Sequence, residues 1–552
     1  MVETLRVRIA DRELLMPAGS TVQEAISEVY GDDADIVGAL LNNHLVSLAT
    51  TLRGPAEVVP VRPTERDGEA ILRRSVAHVL HTVATQDYPE LKLEIGQALV
   101  GGWYYEVRTA SNVAPDLDRL AAELTRRVRA LAETRVPFET RVLAVEEAEK
   151  ILADPHGHKK KLLRVWPSPS VVVARLNGFV DIQHGPYAPD TGCARHATVV
   201  PYPPGIVLQV QPQPAYRPLR AGAHLFATYR ETRRWNQRVG VETVGDLNAA
   251  ILEGRLEDVA RVSEALHEKK IAQIADEIAA RREHVRLICI AGPSSSGKTT
   301  FVRRLSVQLQ VNGIDPVLLS LDDYYLSREE TPRDDKGELD FETIDALNLP
   351  LIHEQLEALL AGDEVRTPRF DFVHGRPTDR DSWKPLRLRE RQVLVIEGIH
   401  GLNPRLTASV VEQAKYRVFV SALTQLVIDE HNRIFTSDAR LLRRIVRDRL
   451  YRGTSAADTL ARWASVRLGE ERHIFPHQEN CDVMFNSTLV YEAAVLRTFA
   501  WRFLIEVERS HPSRARAYQL LKFLELFVPV FPDCVPANSI LREFVGGSGF
   551  NY

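Results

Sequence analysis

The stretch AGPSSSGKTT, residues 291–300, decides the fold of the C-terminal half of this 552-residue chain. Gly292, Gly297, Lys298 and Thr299 complete the spacing GxxxxGK[ST], whose glycines let the backbone curl so that successive N–H groups point at phosphate oxygens. The apolar run LICIA precedes the stretch and the helical pattern FVRRLSVQLQV follows it. The sequence therefore predicts a buried strand, a phosphate-binding loop and a helix, in that order.

The residues of this loop are the predicted nucleotide ligands. The N-terminus of the following helix adds its positive dipole end, which favours a phosphate group. In this pattern Lys298 reaches the β- and γ-phosphates and the Thr299 hydroxyl binds Mg²⁺. We predict that ATP is bound, with Mg²⁺, by Gly292, Ser294, Ser295, Ser296, Gly297, Lys298, Thr299 and Thr300.

Further strands alternate with helical patterns in this half of the chain. They are VRLICIAG, DPVLLSLDDYY, RQVLVIEGIH and AKYRVFVS, and their alternation predicts an α/β fold with a mostly parallel, doubly wound sheet. Asp322 and Asp323 follow the second strand and Glu397 ends the third. Because ligands bind at the carboxyl ends of parallel strands, these acids are expected to converge on the phosphate loop. One carboxylate suits Mg²⁺, and another can accept a proton from an attacking hydroxyl.

The run RLLRRIVRDRLYRG carries six arginines within thirteen residues on a helical pattern, from Arg440 to Arg452. Such a run is either a solvated helix face or a lid whose cations close over a phosphoryl group during transfer, and we favour the lid. The chain has no Asn-Lys-x-Asp motif and no LSGGQ-like signature, which disfavours a GTPase and a transporter ATPase.

Composition places broad limits on the class of protein. The net charge of −4 disfavours a chain coated in basic surface for nucleic acid, and four scattered cysteines offer neither a disulfide framework nor a zinc motif. The N-terminus lacks the apolar run of a signal peptide, and no stretch is long and apolar enough to span a membrane. We expect a cytoplasmic protein without a membrane partner.

Residues 285–507 resemble the uridine kinase and phosphoribulokinase family. The landmarks GPSSSGKTT, LSLDDYY, LDFETIDALNL, TPRFDFVHGRP, VLVIEGIHGL and RRIVRDRLYRG occur in the family's order. The resemblance implies catalysis by Asp322, as general base, and Lys298, with a metal site of Thr299, Asp322 and Glu397. It also implies an acceptor pocket of Tyr325, Asp345, Phe370, Phe372 and His374, and lid cations Arg443, Arg444, Arg447 and Arg452. Two departures concern the acceptor side: His374 stands one position early, and the segment SALTQLVIDEHNRIFTSDARL before the lid is long.

The front half resembles parts of threonyl-tRNA synthetases. Residues 1–62 resemble a TGS-type domain, and residues 63–235 resemble the second additional domain of threonyl- and alanyl-type synthetases, through RRSVAHVLHTVATQDYPELKLEIGQALVGGWYYEV and GFVDIQHGPYAP. The family's site there has two histidines, a cysteine and a further histidine. This chain keeps one of the four and has a degenerate editing-type site, whose residues are Arg74, His78, Gln183 and Tyr187. Arginine, glutamine and tyrosine are poor zinc ligands, so no zinc is expected. The run DPHGHKKKLLRVW is expected to be a solvated loop.

These patterns predict five units: 1–62, 63–235, a helical connector at 236–284, a P-loop kinase domain at 285–545 and a flexible tail at 546–552. The predicted function is ATP-dependent phosphorylation of a small-molecule acceptor, taken as the 5′-hydroxyl of a nucleoside such as uridine or cytidine. One alternative is a kinase for another hydroxylated acceptor, such as a sugar phosphate or a pantothenate-like molecule. A second is an RNA- or ribosome-associated ATP switch in which the front half binds tRNA-like RNA. The sequence leaves an oligomer open.

Overall fold

The first unit is a five-stranded sheet with one helix. The computed structural model describes residues 4–31, 35–99, 101–109, 114–154, 156–210, 222–334, 337–371, 374–424 and 426–551. The predicted strand TLRVRI is confirmed, because alternate residues Leu5, Val7 and Ile9 are buried. The strands are β1 Thr4–Ile9, β2 Arg12–Pro17, β3 Gly38–Leu41, β4 His44–Val46 and β5 Ala56–Val61, in the order β2-β1-β5-β3-β4, and helix α1 is Val22–Tyr30.

The second region contains two antiparallel sheets and a long buried helix. Helix α2 is predicted by its amphipathic pattern, but every residue from Ser75 to Ala84 is buried. The elements are α2 Arg66–Asp87, β6 Leu91–Leu99, β7 Gly102–Thr109, α3 Leu117–Glu133, β8 Glu139–Ala144, α4 Val145–Ile151, α5 His158–Leu163, β9 Ser170–Leu176, β10 Phe179–Ile182, β11 Thr198–Tyr202 and β12 Gly205–Gln209. The sheets have the orders β11-β12-β7-β6 and β10-β9-β8.

Three helices follow, and they belong to the core around the phosphate loop. They are α6 Ala223–Val239, α7 Val244–Leu252 and α8 Leu256–Ala280. Arg304, on the helix that follows the phosphate loop, donates to Glu264 at 3.4 Å and to Glu268 at 2.7 Å on α8. The run predicted as a connector is therefore packed along the loop's own helix.

The C-terminal half contains a parallel sheet covered by helices on both faces, as predicted. The order β14-β19-β13-β20-β21 places the phosphate-loop strand β13 in the centre, and every pair in this sheet is parallel. The elements up to the sheet's fourth strand are β13 Leu287–Ala291, α9 Lys298–Val311, β14 Asp315–Ser320, α10 Leu349–Ala361, β15 Glu364–Thr367, β16 Phe370–Asp371, β17 Arg376–Pro377, β18 Lys384–Arg387, β19 Gln392–Glu397 and β20 Lys415–Ser421. The remaining elements are α11 Thr436–Tyr451, α12 Ala456–Gly469, β21 Val483–Asn486, α13 Glu492–Ile505, α14 Arg514–Leu524 and α15 Arg542–Val545.

The two faces of β13 show why the sheet is doubly wound. Ile288 and Ile290 pack in one apolar cluster with α8, α9 and α11, whereas Leu287 and Cys289 pack in another with α10. A strand buried on both faces has a continuous apolar sequence, which is what LICIA is. Within the described residues no helix is long and apolar enough to cross a membrane.

The end of the chain is hydrogen-bonded to the body of the protein. The Gly549 N–H donates to the Ala537 carbonyl at 2.8 Å, and Arg542 donates to the Gly546 carbonyl at 3.1 Å. Residues 546–549, part of the expected tail, are thus attached beside α15.

A buried histidine on α8 makes stability fall with acid pH. His267 is 3% exposed and packs on the ring of Phe485, and burial, helped by Arg304, lowers its pKa to about 3. As pH falls below about 6.5 the unfolded chain binds a proton at this residue and the folded chain does not, so the free energy of unfolding falls by about 1.4 kcal/mol per pH unit. His267→Asn should therefore lose less Tm than the parent protein between pH 7 and pH 5.

The matched control is His284→Asn, because His284 is exposed in the turn after α8. Burial also lowers the pKa values of His78 and His400 to about 4. Both variants therefore still lose some stability as the pH falls. Equal Tm losses in the parent protein and in His267→Asn would contradict the prediction.

Candidate active site

The phosphate loop curls between β13 and α9 at positions that require glycine or left-handed backbone. A Cβ on Gly292 would lie 2.0 Å from the Val420 carbonyl oxygen, so only glycine fits there. Ser295 and Gly297 have φ values of +58° and +83°, in the left-handed region. The hydroxyl oxygens of Ser295 and Ser296 are buried and have no hydrogen-bond partner among the described residues. The loop is thus a preformed cradle with unused polar atoms.

Arginines of α11 donate hydrogen bonds to the main chain of this loop. Arg440 donates to the Ser294 carbonyl at 3.0 Å, and Arg443 donates to the carbonyls of Ser295 and Ser296 at 3.4 Å each. Glu470 accepts from Arg440 at 2.6 Å and from the Ser294 N–H at 3.2 Å. These contacts hold the main chain of the loop in its conformation.

Arg443 differs from the role predicted for it as a lid cation. It is 0% exposed, and its guanidinium forms a 2.6 Å ion pair with Glu492. A fully buried, paired arginine cannot swing over a ligand, because leaving its partner would expose an uncompensated buried charge. Its place under the loop makes it a structural brace.

The other predicted lid arginines lie at the cleft, grouped on one acid. Asp448 is within 3.3 Å of Arg444, 2.9 Å of Arg447 and 3.7 Å of Arg452. Arg444 also donates to the Ser294 hydroxyl at 2.9 Å, while Arg452 is exposed. Three guanidinium groups therefore share one buried carboxylate beside the loop.

Two predicted acids stand at the ends of adjacent parallel strands. Ser320 at the end of β14 pairs with Glu397 at the end of β19, and Asp322 follows two residues later. Desolvation by the surrounding protein raises the pKa of Asp322, and the positive charges of Lys298, Arg452 and Arg447 oppose this. The residue is still exposed at the surface. Burial raises the pKa of Glu397 to about 7, against the effect of Lys298 and with that of Asp322. Lys298 thus interacts electrostatically with Asp322 and Glu397, whereas Asp323, also expected at the loop, accepts from the Phe370 N–H instead.

The donor set of this cleft suits ATP and Mg²⁺. Magnesium prefers hard oxygen ligands, which the Thr299 hydroxyl and the carboxylates of Asp322 and Glu397 supply. Helix α9 begins at Lys298, directly after the loop that carries the buried serine hydroxyls, so the first N–H groups of the helix and these hydroxyls are neighbours in the chain.

The aromatic residues predicted for the acceptor pocket gather around Tyr325. Its ring centroid is 5.9 Å from that of Phe370 and 6.4 Å from that of Phe341, both edge to face. The Tyr325 hydroxyl donates to the Phe341 carbonyl at 3.2 Å, and the Phe370 N–H donates to Asp323 at 3.1 Å. Phe372 lies outside the described residues.

The structure places Asp345 and His374 in surface ion pairs. Asp345 is exposed and pairs with Arg405 at 2.6 Å, and His374 is exposed and lies 2.6 Å from Asp371. The half-buried acid that faces the cleft is instead Glu342, three residues earlier in the motif DFETID. Burial and Glu470 raise its pKa to about 7 against the effect of Arg444 and Lys298, and its Oε2 has no hydrogen-bond partner in the described part of the chain. The motif holds both acids, and sequence alone did not separate them.

The four residues predicted to form a degenerate editing-type site contact one another, neighbouring backbone or a neighbouring side chain. The Tyr187 hydroxyl is 3.3 Å from His78 Nδ1, Arg74 donates to the Pro186 carbonyl at 2.7 Å, and Gln183 accepts from Thr140 at 3.1 Å. His78 also contacts the rings of Phe138 and Phe179.

A cluster of charged side chains, which the sequence did not reveal, lies beside these residues. Asp181, Asp429 and His431 bring oxygen and nitrogen atoms within 4.8 Å of one another. Lys159 is 0% exposed and donates to Asp181 at 2.8 Å, to the Ala153 carbonyl at 2.8 Å and towards His431 Nδ1 at 2.9 Å. The expected solvated loop is therefore wrong at Lys159. Its ammonium supplies the positive charge that a metal ion would bring to these acids.

The region that contains this cleft is similar to a known protein family. Residues 287–492 match the phosphoribulokinase/uridine kinase family. The kinase-type region so defined contains the phosphate loop, Asp322, Glu397 and the α11 arginines, and the predicted relation to this family is confirmed there.

The N-terminal part is similar to threonine–tRNA ligases, as predicted. The ligase of Oleidesulfovibrio alaskensis is 27% identical over 194 residues, which cover 34% of this chain and 30% of the ligase. The ligase of Cutibacterium acnes is 34% identical over 181 residues, covering 30% of this chain and 26% of the ligase. The chain thus spans less than a third of the length of these relatives.

Two solved structures are similar to part of the chain. A putative fructose transport system kinase from Silicibacter sp. TM1040 is 19% identical with a TM-score of 0.31, covering 39% of this chain and 98% of that one. A possible uridine kinase from Bacillus stearothermophilus is 15% identical with a TM-score of 0.26, covering 39% of this chain and 100% of that one.

Proposed function

We propose that this protein is an ATP-dependent kinase that phosphorylates the 5′-hydroxyl of a nucleoside such as uridine or cytidine. The observation that carries the proposal is the pair of acids, Asp322 and Glu397, at the ends of adjacent strands beside Lys298. The family match over residues 287–492 supports the class of reaction, and the aromatic group around Tyr325 supports an acceptor with a planar base.

In the proposed reaction the Asp322 carboxylate accepts the proton of the acceptor hydroxyl. The hydroxyl oxygen then bonds to the γ-phosphorus of ATP, and the bond from that phosphorus to the β,γ-bridging oxygen breaks as ADP leaves. A raised pKa suits Asp322 to this task, because a base holds the transferred proton better when its pKa lies nearer the working pH. Lys298, Arg447 and Arg452 supply the positive charge that stabilises the transferring phosphoryl group.

Mg²⁺, held by Thr299, Asp322 and Glu397, would neutralise phosphate charge and orient ATP. The two acids and the hydroxyl would act on the metal side of the cleft, and Glu342 interacts electrostatically with Lys298 and with Tyr325 of the aromatic group. We infer that Glu342 accepts a hydrogen bond from an acceptor hydroxyl, the task the resemblance implies for Asp345, because Asp345 is paired with Arg405 at the surface.

The function is tested by incubating the purified chain with Mg²⁺-ATP and a set of single acceptors: uridine, cytidine, a sugar phosphate, pantothenate and tRNA. We expect ADP release in equal amounts with a 5′-phosphorylated nucleoside, measured by coupled assay and ³¹P NMR. A product formed only from the sugar phosphate or pantothenate would assign the other small-acceptor kinase. ATP hydrolysis stimulated by tRNA without a phosphorylated small molecule would replace the kinase by the ATP-switch protein.

A further inference from the structure

A carboxylate from the end of the chain is bound at the phosphate-binding helix. Glu543, on α15, accepts hydrogen bonds from the Thr300 N–H at 3.1 Å and from the Thr300 hydroxyl at 2.8 Å. Thr300 is the third residue of α9, where backbone N–H groups have no partner within the helix. Backbone N–H donors and the helix dipole at such a position favour an anion, and here Glu543 is the anion that they bind.

The C-terminal segment is built to hold Glu543 in this place. Ile540 packs against Gly297, where a Cβ would lie 2.4 Å from the isoleucine side chain, and the Arg443 guanidinium lies 5.1 Å from the centroid of the Phe544 ring. Arg542 donates to the carbonyls of Val535 and Pro532 at 2.6 and 2.9 Å, which closes the segment on itself. The carboxylate is therefore tethered over the loop by packing on both sides.

The segment lies outside residues 287–492, and so outside the part of the chain that matches the kinase family. Its charge also acts inside the cleft, because Glu543 is one of the neighbours that raise the pKa of Glu397. Glu397 thus interacts with the carboxylates of both Asp322 and Glu543, beside a loop that must accept the negative charges of ATP.

We propose that Glu543 is a residue of the nucleotide site that occupies a phosphate position in the nucleotide-free protein, so that ATP binds by displacing a tethered carboxylate. The proposal rests on the proposed function only in taking ATP as the ligand. It makes the C-terminal segment the element that sets nucleotide affinity. A charged hydrogen bond is stronger than a neutral one, so removing the charge weakens the competitor while keeping its shape.

The test is calorimetric binding of Mg²⁺-ATP and Mg²⁺-ADP to the full chain carrying Glu543→Gln, with Glu543→Ala as a second variant. We expect both variants to bind nucleotide about fivefold to tenfold more tightly than the parent protein, since a charged hydrogen bond exceeds a neutral one by about 1 kcal/mol or more. Asp533→Asn is the control, because it removes the same charge from an exposed position of the same segment and should leave the Kd unchanged.

An unchanged or weaker Kd in both Glu543 variants would overturn the proposal, since Glu543 would then be neutral to nucleotide or a support for it. If no protein bound nucleotide, the nucleotide site and the displacement would both be refuted. Tight nucleotide binding without any phosphorylated acceptor would refute the kinase function and leave the role of Glu543 standing. The binding measurement therefore tests the role of Glu543, and the phosphorylation assay tests the kinase function independently.

Discussion

Asp322→Asn is expected to lower the rate of phosphoryl transfer by about 10²- to 10⁴-fold, the usual contribution of a positioned general base. Asparagine keeps the size of the side chain and cannot accept the proton of the attacking hydroxyl. Because Lys298 and the loop backbone are untouched and asparagine keeps one oxygen that can bind Mg²⁺, ATP binding should persist. The loss should appear in kcat, measured by coupled ADP release with the best acceptor.

The control for this prediction is Asp315→Asn. Asp315 begins the same strand, β14, at its opposite end, and is exposed. It should keep full activity. Full turnover in Asp322→Asn would remove Asp322 as the base, and Glu342 would be the next acid to substitute, since its carboxylate also faces the cleft with a raised pKa.

Lys159→Met is expected to lower the free energy of unfolding by about 3–5 kcal/mol, the cost of breaking a buried ion pair by removing one partner. Burial would lower the pKa of Lys159 and raise that of Asp181, but their mutual attraction outweighs this, so the pKa of Lys159 is raised and that of Asp181 lowered. Methionine matches the length of the stem and leaves Asp181 without its cation. The change is read as a fall in Tm and in urea midpoint.

Lys160→Met serves as the control, because Lys160 is the exposed neighbour on the same helix. Combining Lys159→Met with Asp181→Asn should recover part of the loss, since the uncompensated charge is then gone. If Lys159→Met were no less stable than Lys160→Met, or the second substitution only added to the loss, the lost attraction would not be the cause.

The Lys159 cluster also shows how the two halves of the chain are joined. Asp429 and His431 come from the long segment before α11, and they lie in the front half against Lys159, Asp181 and His184. The Glu430 carbonyl accepts from the Ile95 N–H at 2.9 Å, which attaches the segment to β6. The described residues of this segment are thus enclosed beside the residues predicted to form the degenerate editing-type site.

This enclosure gives the front half a structural task in the kinase region. The enclosed segment leads directly into α11, whose Arg440 and Arg443 donate hydrogen bonds to carbonyls of the phosphate loop. Because the start of α11 is held by the front half, the positions of Arg440 and Arg443, which bind the phosphate loop, are held as well. The front half also reaches the C-terminal helices, where His44 packs on Tyr518 at a 4.6 Å ring distance.

Local signals were sufficient for the phosphate loop and its sheet. The GxxxxGK[ST] spacing, the apolar run LICIA and the acids at strand ends each depend on residues close in the chain, and the structure places them as predicted. The sequence could not show which of Asp345 and Glu342 is buried. Both acids belong to the motif DFETID, and only packing decides which one is buried.

The sequence by itself determined the parallel sheet, the phosphate loop and the acids beside it, because strand periodicity and loop spacing are local properties of the chain. Tertiary structure alone decided that Arg443 is a buried brace, that Lys159 is a buried cation and that Glu543 binds at Thr300. Each of these depends on a partner more than twenty residues away in sequence, and the partners are brought together by burial of apolar surface, which no single motif records.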